Sequence, residues 1–315
     1  MEEYFYLLIG FVLLLFSGKY LVRGSVVIAN HFKISKLVVG VTIVSLGTSA
    51  PEMFVSSIAS YTGFPQIALG NVIGSNSANI ALVLAITAII IPIPVRKNSV
   101  KIDAPFMVIV SLLFYILLLD YRVSRVEGVL FLVLLVSYTL FIVYKSRRED
   151  KVEEIDEDKK TSIAIALLMV ILSIAGLAFG SDLLVDNAAK IAEDFGVSQR
   201  VIAITLIAFG TSLPELTTSL IAALRKEMDI SIGNIIGSNI FNILAVIGVS
   251  AIASPMDISA ADASRIVTFD MYWMLGISVA LFLFILPFKG GILTRFKGIV
   301  LFLIYCVYLY FLFRK

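Results

Sequence analysis

Three blocks of this chain occur twice, always 163 residues apart and without a gap. FSGKYLVRGSVVIANHFKIS (16–35) matches FGSDLLVDNAAKIAEDFGVS (179–198), and GTSAPE (47–52) matches GTSLPE (210–215). GNVIGSNSANIALV (70–83) matches GNIIGSNIFNILAV (233–246). One short motif recurring would be weak, but three at a constant offset identify an internal duplication. Any fold for this chain has to be built from two similar halves.

Composition then fixes the solvent. The 315 residues are 59% hydrophobic and 15% charged, with a mean hydropathy of +1.00. A soluble domain carries roughly a quarter charged residues, so the composition points to a polytopic membrane protein. Apolar runs of the length that crosses a bilayer predict ten helices near 4–29, 37–59, 67–91, 104–119, 126–144, 162–188, 199–223, 230–253, 268–287 and 296–313. No basic segment with a short apolar run and small-residue cleavage site leads the chain, so no removable signal peptide is expected; Met1, Glu2 and Glu3 enter helix 1 directly.

Five spans per half is an odd number, so the second half is expected to enter the membrane upside down relative to the first. The expected fold class is an all-α membrane protein of two inverted five-helix repeats, with broken helices 2, 3, 7 and 8 as its core. The repeats would occupy 1–144 and 162–315. A charged linker, 145–161, containing KSRREDKVEEIDEDKK, would join them as a solvated hinge. Inverted repeats of this kind place transport sites near the midplane where the halves meet. With the N-terminus outside, the outer segments hold Arg122, Arg125, Lys190, Arg200, Arg265, Arg314 and Lys315, and the other 18 of 25 Lys and Arg fall inside. That bias predicts both termini extracellular and the linker cytoplasmic in a cell-membrane protein.

Each copy of GTS-x-PE sets a proline and a glutamate inside a span. Pro51 lacks an amide hydrogen and crowds the carbonyl of Gly47, as Pro214 does that of Gly210, so both helices should break there and free main-chain oxygens. Such groups are tolerated in hydrocarbon where they line a polar cavity or bind something. Thr48, Ser49, Thr211 and Ser212 add hydroxyls, and Glu52 and Glu215 add carboxylates, one residue past each proline. Ca2+ takes roughly 6 to 8 oxygen ligands in flexible geometry, and dehydrated Na+ accepts the same kind. A transition metal would want His or Cys, and the chain has one of each, His31 and Cys306. The alternative is a proline-kinked structural helix with its Glu paired to a base, but no Lys or Arg lies inside helices 2, 3, 7 or 8. Intramembrane carboxylates without such partners read as an ion site.

In GN-x-x-GSN-x-x-N, Gly70, Gly74, Gly233 and Gly237 have the small-xxx-small spacing of close helix packing. Packing does not account for the polar residues beside them. Ser75 and Asn79 share a face, as do Ser238 and Asn242, and those faces could complete a coordination shell or hydrogen-bond the glutamates. For Asn71, Asn76, Asn234 and Asn239 the choice between backbone satisfaction and ion contact stays open. Two desolvated carboxylates repel when an ion leaves, so the site should take up other cations or protons, and exchange follows.

These paired motifs resemble the two alpha repeats of the sodium/calcium exchanger (cation/calcium exchanger) superfamily, in its prokaryotic branch with the potassium-dependent relatives. The resemblance covers essentially the whole chain. It implies four clustered cation sites with Glu52 and Glu215 bridging the Ca2+ and Na+ positions. It also implies that Thr48 and Thr211 act through main-chain carbonyls, Ser49 and Ser212 through hydroxyls, and Ser75, Asn79, Ser238 and Asn242 as the rest of the ring. Main-chain oxygens of Ser45 and Ala208 are implied as further ligands, and helices 1 and 6 as a pair that slides across the core. One residue departs from the pattern: Asn242 stands where archaeal and potassium-dependent exchangers carry Asp. Proton/calcium exchangers also tend to have Asn there, but with GN-x-x-E in place of GTS-x-PE. The Asn bears on stoichiometry, potassium dependence and proton coupling.

The function expected is antiport of Ca2+ against Na+ by alternating access, with a Ca2+/H+ antiporter as the alternative. A cation channel would normally need oligomeric symmetry or a continuous pore, and no HExxH, paired catalytic Asp or Ser-His motif suggests an intramembrane enzyme. The partners expected are the transported ions (Ca2+ and Na+, with H+ or K+ as further options) and the lipid bilayer. No nucleic acid and no cofactor is expected, and a monomer is among the options for assembly.

Overall fold

A computed structural model describes residues 2–149, 161–195, 210–258, 265–286 and 291–314 of the chain. Helix α1 (Glu2–Phe32) carries Glu2 and Glu3 in its first turn and His31 in its last, the charge order a helix dipole favours. Two segments, Lys36–Thr48 and Ala50–Tyr61, form α2 and meet at a 48° bend. Then follow α3 (Pro65–Ile90), α4 (Ser99–Asp120), α5 (Arg125–Glu149) and α6 (Ile163–Asp194), the last capped by the Ser162 side chain, which accepts from Ile165 N. Beyond 210 come α7 (Leu213–Leu224), α8 (Met228–Ala253), α9 (Ile266–Ile285) and α10 (Arg295–Arg314). Among the described residues eight helices are long and apolar enough to cross a membrane, nine with the bent pair counted as one span. The expected helix 7 began at 199; its first part, with Ala208, lies outside the described residues, and α7 is the 12 residues that follow.

Broken helices were expected at 2, 3, 7 and 8, but α3 and α8 are continuous. Their sequence shows why: α3 has its proline only at the first helical position and α8 has none inside. Each instead carries a π-helical segment, Asn79–Leu84 and Asn242–Ile247, starting at the last Asn of the repeated motif. A π segment shifts the helical register without exposing a full turn of backbone, and such bulges recur at functional sites.

The described parts of the halves interlock. Strand β1 (Ile93–Pro94) pairs antiparallel with β4 (Ile292–Leu293), and β2 (Arg122–Val123) pairs with β3 (Met256–Asp257). Ion pairs join Lys36 to Glu227 at 2.7 Å, Arg96 to Asp229 at 2.6 Å and Arg122 to Asp257 at 3.1 Å. Helices α1 and α6 lie antiparallel across this body, in close backbone contact where Gly10 meets Gly180 and Gly24 meets Ala166. A Cβ at Gly10 or Gly24 would come within 2.9 Å of the facing carbonyl oxygen.

Burial follows lipid logic. Leu140, Phe141, Leu168, Ile171 and Leu303 stand exposed on α5, α6 and α10, as a surface facing hydrocarbon requires. The centre is polar: Ser45, Thr48, Glu52, Ser56, Asn79, Ser212, Glu215, Ser219, Asn234, Ser238 and Asn242 are all buried.

Candidate functional site

The 48° bend in α2 sits at Ser49 (φ −86°, ψ 5°), and Ser212 before α7 has nearly the same backbone (φ −89°, ψ 2°). In each copy Pro occupies the first turn of the helix after the bend, where its missing amide costs nothing. The same six-residue motif therefore makes the same turn twice, and each turn puts its glutamate on the first turn of the following helix.

Glu52 and Glu215 are both fully buried, each in the first turn of the helix that follows its bend. Ser49 Oγ donates to Glu215 Oε1 at 3.2 Å, so α2 reaches across to the opposite half's carboxylate. Glu215 Oε2 and both Glu52 oxygens have no hydrogen-bond partner, and no basic side chain pairs with either glutamate among the described residues. Leaving a buried charge without its partner costs several kcal/mol. A protein keeps such groups where something else neutralises them.

Most of the expected ligand residues that the structure describes are buried. Thr48 Oγ1 lies 3.1 Å from Asn234 Oδ1, to which it donates, and 3.3 Å from Ser238 Oγ. Ser212 Oγ, Asn242 Oδ1 and both amide atoms of Asn79 are buried without partners. Ser75 is buried on the same face as Asn79, and Thr211 is half-buried. Ser45 is one turn before the bend: its main-chain oxygen accepts from Ser49 N at 2.9 Å, and its Oγ donates to Gly40 O at 2.7 Å. These buried side chains offer carboxylate, hydroxyl and amide oxygens, chemistry suited to a hard cation and poor for a transition metal. Among the described residues no group of three or more His, Cys, Asp or Glu assembles anywhere, so the oxygen set is completed by neutral groups.

Two expectations change. The carbonyl freed at Gly210 has a protein partner, because Ser181 Oγ on α6 donates to it at 2.6 Å. Of the four asparagines left open, Asn71 and Asn234 bond a serine side chain in their own half: their amides donate to Ser56 Oγ at 2.9 Å and Ser219 Oγ at 3.0 Å, one bond made twice. Ser56 and Ser219 were not among the expected residues, although they were readable as serines four positions after each glutamate at the repeat offset. Ser181 had no comparable signal.

The chain matches the family model described as sodium/calcium exchanger protein over residues 3–144 and 165–314. It is 40% identical over 317 residues to CaxA of Alkalimonas amylolytica, named as a candidate antiporter, covering 98% of both chains. It is 30% identical over 346 residues to the sodium/calcium exchanger MaX1 of Methanosarcina acetivorans, covering 98% of this chain and 97% of that one. The solved structure of the sodium-calcium exchanger NCX_Mj, soaked with zero Na+ and Ca2+, superposes with a TM-score of 0.83 at 34% identity and covers 97% of each chain.

Proposed function

This chain belongs to the sodium/calcium exchanger family, and from that membership we propose that it exchanges Ca2+ for Na+ across the membrane by alternating access. It is thus a membrane-embedded cation/calcium antiporter, a transporter rather than an enzyme, of the prokaryotic kind. Both ions compete for Glu52 and Glu215, supported by the hydroxyl and amide oxygens of Thr48, Ser49, Ser212, Ser75, Asn79, Ser238 and Asn242 and by main-chain oxygens at Ser45, Thr48, Ala208 and Thr211. The observation that carries this is the pair of fully buried glutamates with three of four oxygens unpartnered. Two such charges need compensating cations in every state. An emptied cluster is unfavourable, and that couples the departure of one ion to the arrival of another.

We further propose ten spans in two inverted repeats, 1–144 and 162–315, with the linker 145–161 cytoplasmic and both termini outside. The ion pairs support this. Lys36 with Glu227 and Arg96 with Asp229 join segments that this count puts inside, and Arg122 with Asp257 joins two that it puts outside.

Asn242 favours a second reading. Its amide makes the cluster one carboxylate poorer than an Asp would, and two carboxylates balance one Ca2+ against two protons. The deciding experiment is Ca2+ uptake into proteoliposomes of the purified protein, driven by an imposed Na+ gradient and separately by a pH gradient. Uptake driven by Na+ at constant pH supports Ca2+/Na+ exchange; uptake that follows only the pH gradient replaces it with Ca2+/H+ exchange. Saturable uptake without single-channel currents excludes a pore.

A further inference from the structure

The repeat puts the same two asparagines in each half, Asn76 and Asn79 in α3, Asn239 and Asn242 in α8, yet their amides are bonded differently. Asn242 Nδ2 donates to Asn76 Oδ1 at 3.0 Å, and Asn76 Nδ2 donates to the main-chain oxygen of Asn239 at 3.2 Å. Asn76 therefore uses both ends of its amide on the other half. Its counterpart Asn239 donates instead to Ile235 O in its own helix at 2.8 Å. Asn79, the counterpart of Asn242, has neither amide atom partnered.

An amide has fixed polarity, because its nitrogen only donates and its oxygen only accepts. Held by its nitrogen, Asn242 must turn Oδ1 away from Asn76, and that buried oxygen has no partner in the protein. Reversing Asn242 would set its oxygen against Asn76 Oδ1. Reversing both would set Asn76 Oδ1 against the Asn239 carbonyl. A two-bond chain anchored on the main chain of α8 thus decides which end of Asn242 is offered.

We infer that Asn76 is a positioning residue that fixes Asn242 as a neutral oxygen donor to the cation cluster, while Asn79, lacking such a brace, can present either end of its amide. The inference rests on the exchange reading above and deepens it: two ligands identical in sequence differ in commitment.

The test measures the Ca2+ concentration for half-maximal uptake in proteoliposomes of the full chain. Asn76→Ala should raise it about tenfold, with the maximal rate changed far less, and the mirror variant Asn239→Ala should stay within about twofold. In an Asn242→Asp background both ends of residue 242 are oxygen, so adding Asn76→Ala should shift affinity by less than about twofold. Equal shifts for Asn76→Ala and Asn239→Ala, or a tenfold loss that persists beside Asn242→Asp, overturn the brace. Where Asn76→Ala does not fold, Asn76→Leu, similar to Asn in shape, replaces it alone and beside Asn242→Asp: a loss seen only with Asn242 in place upholds the proposal, and equal shifts in both overturn it. A Glu52→Gln protein that still exchanges Ca2+ overturns the exchange reading itself, leaving the bonding of Asn76 as geometry only.

Discussion

Single side chains carry the chemistry, and their partners grade how much each matters. Glu52 has no hydrogen-bond partner at either oxygen, so Glu52→Gln breaks no such bond while it removes the charge and turns one ligand oxygen into an NH2 group. Exchange should fall to background while the protein stays folded. Thermal melting adds a second readout: a ligand at about 100 times its Kd stabilises the wild type by roughly 2.7 kcal/mol, and that Ca2+-dependent shift should vanish in the variant. Ser49→Ala is milder. It removes one hydroxyl donor to Glu215 Oε1, a bond to a charged group worth roughly 1.5–3 kcal/mol, so Ca2+ half-saturation should weaken by about 10- to 100-fold with exchange still measurable. An unchanged uptake curve would remove Ser49 from the site. At this scale the sequence was legible wherever charge and repetition coincided, as in Glu52, Glu215 and the hydroxyls beside them. Ser181 was not legible, because nothing in its neighbours on α6 says that it will meet the carbonyl of Gly210.

Helices decide which repeated residues are equivalent in practice. Gly74 and Gly237 occupy the same place in the duplicated motif, and their sequence context predicts the same packing role. A Cβ on Gly74 would meet nothing within 4 Å. One on Gly237 would come 2.6 Å from Val41 O and 2.7 Å from Val41 Cα, main-chain atoms of α2 that cannot rotate away. Gly237→Ala should therefore destabilise the protein by about 1–3 kcal/mol or prevent assembly of α8 against α2, while Gly74→Ala should melt close to wild type. Melting curves in detergent for the two variants check this, and equal behaviour would contradict the packing described. The prolines were a reliable guide for α2, where the bend at Ser49 falls within the Gly-Thr-Ser stretch before Pro51. The breaks expected in α3 and α8 are absent, and the irregularity there is a π segment with no proline to announce it.

At the scale of the whole molecule, orientation is the open physical quantity, and labelling decides it. With Cys306 replaced, an impermeant maleimide should label Thr62→Cys, at the exposed turn between α2 and α3, in intact cells. It should label Asp156→Cys in the linker only after permeabilisation. Labelling of both from one side would break the proposed count of spans. The sequence by itself determined that the chain is a duplicated, lipid-soluble bundle with one glutamate per half in a proline turn, because hydropathy, span length and a constant offset are properties of the residues in order. The tertiary structure alone decided that Asn242 is braced and Asn79 is not, that Gly237 is crowded and Gly74 open, and that Ser181 donates to the Gly210 carbonyl. Duplication repeats identities but not neighbours: hydrogen-bond partners are chosen within a few tenths of an ångström, by whichever helix packs alongside.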